Sequence, residues 1–302
     1  MRKFLATLLA LVMTLALMVP ASWGENKETY QLPDSLAGKT VILHTNDVHG
    51  AIDKYAKVAA LRDECYDKGA HQVILLDAGD YSQGSPYVSL SKGATALDMM
   101  ALVGYDVITL GNHTWGKMQI TDYLEDNRYI LRPANFSPRT PGRGYGVYDL
   151  GRVQVAVLCL IGRCDLAWGS DNPFTTADRL LKTLDKPTFT LVEFHAQATS
   201  EKLAMAYYLD GRVSALWGTH THVPTADNRV FPKGTGYVTD LGMTGPIESV
   251  LGVRPQQSME FFLGGLPGRY QAADGPCSAQ GCIFTLNSDT GLCTDVERIE
   301  IK

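Results

Sequence analysis

Two histidines two residues apart, His220 and His222 in GTHTHVPTAD, follow the apolar run SALW and precede a proline. The same spacing occurs near the other end of the chain, where Asp47 and His49 stand in TNDVHG behind VILH. Imidazole nitrogen and carboxylate oxygen are donors that borderline divalent ions such as Mn, Fe and Zn accept. In a backbone that is extended or just leaving its strand, residues i and i+2 point to the same side, so each pair is spaced to offer two donors to one ion. Other apolar runs end in the same way: Asp80 in LLDAGD, Asn112 with His113 in ITLGNH, and His195 in LVEFHA. Five of the seven histidines are thus gathered behind β-like runs. Any one of these signals is weak, because Asn, Asp and His are common in turns. Their repetition behind separate runs argues for a shared metal centre.

The runs that carry these residues are TVILHTND, QVILLDAGD, DVITLGNH, VAVLCLIG, FTLVEFHA, SALWGTHTH and GYVTDLGMTG, each a Val/Ile/Leu-rich core with a polar end. Between them IDKYAKVAALRDECYDKG, GATALDMMALVG and ATSEKLAMAYYLDG place apolar residues three and four apart and close at Gly69, Gly104 and Gly211. That alternation predicts an α/β fold, with glycine-capped helices between strands. In such folds ligands gather at the carboxyl ends of the strands, where the Asp, Asn and His residues lie. RPANFSPRTPGRGYG, dense in Pro and Gly, reads as a loop. With 45% apolar and 20% charged residues in 302, the balance is that of a folded globular protein. A net charge of -5 supplies no basic footprint, which excludes duplex nucleic acid as the natural partner and leaves a small phosphoester compatible.

The N-terminus reads as a secretory signal over residues 1–24: Arg2 and Lys3, an apolar stretch, Pro20, then Ser22 and Gly24, with cleavage expected after Gly24. The alternative is a retained segment that tethers the protein to a membrane. Residues 25–39 form a polar leader, residues 40–302 a single catalytic domain, and the chain is expected outside the cytoplasm. Six cysteines follow the signal. Their even number allows disulfides, with a local bridge around Cys277, Cys282 and Cys293 expected and free buried thiols the alternative. The paired C-x2-C spacing of a structural zinc site is missing.

In chain order the motifs are D-x-H, GD, GNH, H and H-x-H, the last preceded by Thr219. This order resembles the calcineurin-type metallophosphoesterase superfamily. Residues 40–116 look like the catalytic domain of secreted 5'-nucleotidases, and the chain from GNHTW onward looks like the YmdB-type branch. The resemblance implies a layered α/β fold, central β-sheets flanked by helices, with a short β-rich C-terminal tail. It also implies two divalent ions. Asp47, His49, Asp80 and His222 would hold one; Asp80, Asn112, His195 and His220 would hold the other, with Asp80 as bridge. His113, with Asn112 beside it, would serve catalysis as proton donor or phosphate-orienting group. Two departures from the YmdB-type pattern make the first metal position nucleotidase-like: the histidine of D-x-H, and GDYS in place of a Glu-Asn pair. A third is Gln197, where those relatives tend to carry Glu.

The function implied is that of an exported phosphodiesterase acting on cyclic nucleotides, with homo-oligomeric assembly. The alternatives are a 5'-nucleotidase-like phosphomonoesterase and a non-catalytic metal- or ligand-binding surface protein. Arg132 and Asn135 in RPAN are candidates for phosphate or sugar contact, set against a structural role for the Arg-Pro pair. Trp115 and Tyr81 are candidates for base stacking or packing. His44 reads as a hydrogen-bonded core histidine and His71 as solvated. Asp77 and Glu193, inside strands, read as structural or as supports for the ligands.

Overall fold

The computed structural model describes residues 32–82, 84–114, 124, 127–166, 169–266, 268 and 270–302. The signal segment, the start of the leader and Trp115 lie outside the described residues.

Two mixed sheets stack face to face. In the first, β1 (Lys39–Thr45), β2 (Gln72–Asp77), β3 (Val107–Thr109) and β4 (Ile130–Leu131) run parallel. In the second, β5 (Tyr145–Asp149) lies antiparallel on β6 (Gln154–Ile161), and β6 runs parallel to β7 (Phe189–His195), β8 (Ala215–Thr219) and β10 (Gly236–Val238), with β9 (Arg229–Val230) at the edge. Alternation along each strand divides its side chains between two cores. In β1, Ile42 enters the cluster between the sheets with Ile74, Trp217 and Phe284, while Val41 and Leu43 face outward. In β6, Val155, Val157 and Cys159 point inward, and Ala156, Leu158 and Leu160 point to the other side. Strands buried on both faces are the continuous apolar runs seen in the sequence.

Helices cover the outer faces. On the first sheet, α1 (Tyr55–Asp67) packs Val58, Leu61 and Cys65 against Leu43 and Leu75. After the short α2 (Pro86–Leu90), α3 (Ala94–Val103) contributes Ala96 and Met100 to a second cluster. On the second sheet, α4 (Pro173–Leu181) and α5 (Thr199–Leu209) bury Leu180, Met205 and Leu209. Asn172 starts α4, its side chain accepting from Phe174 N–H at 2.9 Å, and Pro173 occupies the first turn where no N–H is needed. The order is helix, sheet, sheet, helix, as the resemblance implies.

The C-terminal segment corrects one expectation. β12 (Cys277–Asn287) is not a tail but an interior strand of the first sheet, antiparallel to β1 with Val41 opposite Thr285. β13 (Cys293–Ile301) pairs along it, and β11 (Thr244–Pro246) lies beside its start. GYVTDLGMTG likewise divides into β10, a loop and β11. Between β11 and β12 stands α6 (Pro255–Phe262). No disulfide joins the described cysteines. Cys277 and Cys282 sit five apart on β12 and so on opposite faces, while Cys282 and Cys293 face Arg298 and Leu286 across the ladder, geometry a bridge cannot span. No helix among the described residues is long and apolar enough to cross a membrane.

Candidate metal centre

The sequence places its polar residues at strand ends, and the sandwich brings those ends together. Asp47 and His49 follow β1, Asp80 follows β2, and Asn112 follows β3. From the second sheet, His195 is the last residue of β7, and His220 and His222 follow β8. Two groups of donors form. Asp47, His49 and His222 offer one atom each within 4.8 Å of one another, and Asp80, His195 and His220 do the same. Asn112 joins the second group, its Oδ1 lying 2.7 Å from His195 Nε2 and 3.0 Å from His220 Nδ1. The groups adjoin: His220 N–H donates to Asp47 Oδ2 at 3.2 Å, and His49 N–H to the Asp80 carbonyl at 3.0 Å.

The residues fit a metal. Asp47 Oδ1 and Asp80 Oδ2 are buried without a hydrogen-bond partner, a costly state for a carboxylate unless a cation faces it. They lie 3.5 Å from His222 Nε2 and 3.4 Å from His195 Nε2 respectively. Two ligands each about 2.0–2.2 Å from one ion, at tetrahedral or octahedral angles, stand about 3–3.5 Å apart. The donor chemistry, imidazole with carboxylate and one amide, suits a divalent transition ion.

The backbone bends to aim these donors, which corrects the extended geometry expected for the two-residue spacing. Asp47, His49, Asp80, His220 and His222 have φ of 45°, 44°, 51°, 91° and 62°. Left-handed conformation at five non-glycine residues stores strain that the surrounding hydrogen bonds must hold. Asp47 and His49 turn into one group, but His220 and His222 diverge, His220 toward His195 and His222 toward Asp47 and His49. Gly111 permits the approach of GNH, since a Cβ there would overlap the Asp80 carboxylate and the His195 ring.

Supporting residues fix the imidazoles. Both Glu193 oxygens accept, Oε1 from Thr219 Oγ1 at 2.7 Å and Oε2 from Cys159 Sγ at 3.4 Å. With its proton so directed, the Thr219 hydroxyl accepts Nδ1–H of His195 at 2.9 Å and leaves Nε2 as the nitrogen that faces Asp80 and Asn112 and would meet a metal. His222 Nδ1 donates to the Leu251 carbonyl at 3.2 Å, leaving its Nε2 for the Asp47 side. Behind β8, buried Lys202 donates to Asp240 Oδ2 at 2.6 Å and to the Thr219 carbonyl at 2.7 Å. Asp240 Oδ2 also accepts from Thr221 Oγ1 at 2.7 Å, so this ion pair pins the loop that carries His220 and His222.

Burial dominates the electrostatics. It pushes His49 and His220 down to about 4, keeping both rings neutral. For His195 burial also opposes charge, but Asp80, with Asp47 and Glu193, outweighs it and holds the ring up at about 9. Burial would raise Asp80, yet His195 and His49 bring it below the ordinary carboxylate value.

The remaining sequence candidates divide. His113 is exposed beside the first group, its ring edge-on to His49 at 5.4 Å and its backbone N–H donating to Asp80 Oδ1 at 3.0 Å. Arg132 and Asn135 lie elsewhere in use, which corrects their assignment to substrate. Asn135 is fully buried, donating to the Ile161 and Asp171 carbonyls at 2.7 and 3.0 Å and accepting Ile161 N–H at 2.9 Å. Arg132 holds its own loop through the carbonyls of Pro133 at 2.8 Å and Thr140 at 3.2 Å. Tyr81 is buried among Val48, Val88 and Met100, a packing role. Asp77 accepts from Thr45 Oγ1 at 2.8 Å beneath the site, and His71 is half-buried. Gln197 is exposed. His44 is a core histidine, but neither ring nitrogen has a hydrogen-bond partner. Sequence reading missed the Lys202–Asp240 pair; a lysine inside the helix SEKLAM and the aspartate of VTDLG carry no local sign that they meet.

A cup of Asp, Asn and His donors at the shared carboxyl mouth of two sheets suits divalent ions, which when bound would polarise a phosphoester and lower the pKa of water. Fold and donors together define a calcineurin-type metallophosphoesterase, a metal-dependent phosphoric ester hydrolase. Residues 89–299 match the family described as YmdB-like protein, and the chain belongs to that family. It is 44% identical over 214 residues, 70% of this chain and 81% of the relative, to a 2',3'-cyclic-nucleotide 2'-phosphodiesterase of Bacillus subtilis. It shares 28% identity and a TM-score of 0.72 with the crystal structure of a phosphatase from Mycoplasma pneumoniae, covering 87% of this chain and 92% of the other. A shorter likeness, 30% over 135 residues, links 37% of the chain to 23% of the 5'-nucleotidase of Mus musculus. The activity is thus of the phosphodiesterase or phosphatase kind.

Proposed function

We propose that this chain is an exported phosphodiesterase that hydrolyses cyclic nucleotides, with two divalent ions held by the two donor groups. Asp47, His49 and His222 would hold one ion and His195, His220 and Asn112 the other, with Asp80 as the shared ligand. The carrying observation is the pair of adjoining groups, each with a buried carboxylate oxygen facing an imidazole across ligand-to-ligand distance. Bound ions supply Lewis acidity and bring the pKa of water toward neutrality. Thr219 and Leu251 orient the His195 and His222 rings, so their donor nitrogens are set in advance. Asn112 turns its amide oxygen to the imidazoles, and its N–H is left for a phosphoryl oxygen. His113, exposed at the rim, delivers a proton to the departing sugar oxygen.

The diester reading is supported by the name of the Bacillus subtilis relative and by its coverage, 81% of that protein against 23% of the 5'-nucleotidase. Residues 40–302 act as one catalytic unit, and export rests on the pattern of residues 1–24. The test is a parallel assay of the Mn-loaded protein on 2',3'-cyclic AMP, 3',5'-cyclic AMP and AMP. Turnover of a cyclic substrate is expected. Release of phosphate from AMP alone would replace this reading with the nucleotidase, and no turnover of any would leave a binding protein. Sequencing the N-terminus of exported protein is expected to begin at Glu25.

A further inference from the structure

Beside the first donor group opens a cavity of about 480 Å3. His49, His113 and His222 belong to its wall, so the cavity is continuous with the centre that faces the phosphoester. Its opposite wall comes from the stretch between β11 and β12, including Leu251, Val253, Tyr270 and Gln271. That stretch folds on itself: Val253 pairs with Ala272, Arg254 N–H donates to the Gln271 carbonyl at 3.1 Å, and Ala273 N–H to the Gly252 carbonyl at 2.9 Å. Leu251 joins wall to centre, since the residue that lines the cavity also accepts the His222 Nδ1–H through its carbonyl.

We infer that this cavity is the nucleoside site, receiving the base and sugar of a nucleotide whose phosphoester lies over the donor groups. The inference rests on the phosphodiesterase reading and adds to it the residues that choose the substrate. Three features fix the class of occupant. The volume is that of a small-molecule pocket. Among the described residues no Lys, Arg, Asp or Glu lines it, so a neutral group is accepted and a second phosphate finds no counter-charge. Apolar side chains dominate, yet Tyr270 and Gln271 stand side by side on the outer wall. Tyr270 is 51% exposed, its ring braced edge-on by Phe261 of α6 at 6.4 Å. An aromatic face stacks on any base, and the Gln271 amide offers a donor and an acceptor to a base edge. Uncharged mononucleosides linked through one phosphoester are therefore the fitting ligands, ahead of nucleotides bearing a further phosphate.

The test uses full-length, Mn-loaded protein, wild type and Tyr270→Ala. Adenosine binding is measured by equilibrium dialysis, and kcat/KM is measured on 2',3'-cyclic AMP and on methyl p-nitrophenyl phosphate, which has no nucleoside. Wild type is expected to bind adenosine. Tyr270→Ala is expected to weaken that binding roughly 10- to 100-fold and to lower by a similar factor the preference for cyclic AMP over the simple diester. Gln271→Ala is expected to change the ratio between adenine and cytosine substrates. Equal adenosine binding by wild type and Tyr270→Ala overturns the assignment, as does wild-type hydrolysis of the simple diester without adenosine binding. If neither diester is cut, the phosphodiesterase reading fails by itself, and the adenosine measurement still decides what the cavity holds.

Discussion

The Thr219 hydroxyl stands 2.9 Å from Nδ1 of His195 and, because its own proton is directed to Glu193, it accepts rather than donates. One hydroxyl thereby fixes which imidazole nitrogen is turned to the second donor group: Nε2, 2.7 Å from Asn112 Oδ1. Thr219→Val keeps the branched shape and deletes the acceptor. Second-layer losses of this kind lower metal affinity or activity by about 10–100-fold. The expected result is a weakened second metal position by competition with a coloured chelator, with Thr219→Ser close to wild type. If Thr219→Val binds both ions as tightly as wild type, the tautomer is set by something else.

Lys202→Met leaves Asp240 buried and uncompensated beneath the His220–His222 loop. Removing one partner of a buried pair costs about 3–5 kcal/mol. Lys202→Met is expected to lower stability by that order in urea titration, and Lys202→Met with Asp240→Asn to recover part of it. A neutral single variant would mean that Asp240 is carried by Thr221 and the Gly242 N–H alone.

His44 sets an acid limit on stability. Its ring lies in the inter-sheet core, 5.6 Å from Trp217 and 6.0 Å from Phe284, and burial pushes it from 6.5 to about 4. The unfolded chain takes up this proton at the higher pH, so stability is full above 6.5 and falls as pH drops toward 4. The gap corresponds to on the order of 3 kcal/mol. His44→Phe, measured by denaturation at several pH values, is expected to flatten the wild-type slope in this window. An unchanged slope would place the acid sensitivity in other groups.

Much of this arrangement was legible in the sequence because it depends on local order. Apolar runs fixed the strands, and polar residues closing those runs marked the mouth of the sandwich. What the sequence could not convey is geometry set from outside each segment. The two-residue spacing of His220 and His222 suggests a common target, but left-handed backbone at both sends them to different groups. Arg132 and Asn135 have the chemistry of phosphate or sugar ligands, yet the fold surrounds them with carbonyls. β12 reads as an appendage until its register against β1 is known.

Asp80 decides whether the two groups form one centre. Its Oδ1 accepts the His113 N–H at 3.0 Å, and its Oδ2, buried and without a hydrogen-bond partner, faces His195. The Asp80 carbonyl also accepts the His49 N–H from the other group, at 3.0 Å. If two ions bind as proposed, a carboxylate shared between them would not lose its charge without affecting both. Asp80→Asn keeps the shape and an acceptor for His113, so the change isolates charge from packing. Metal analysis of the variant is expected to find both positions depleted and hydrolysis of a simple phosphodiester lost. Retention of one ion per chain, with the His49 position still filled, would confine Asp80 to the second group and remove the bridge from the mechanism.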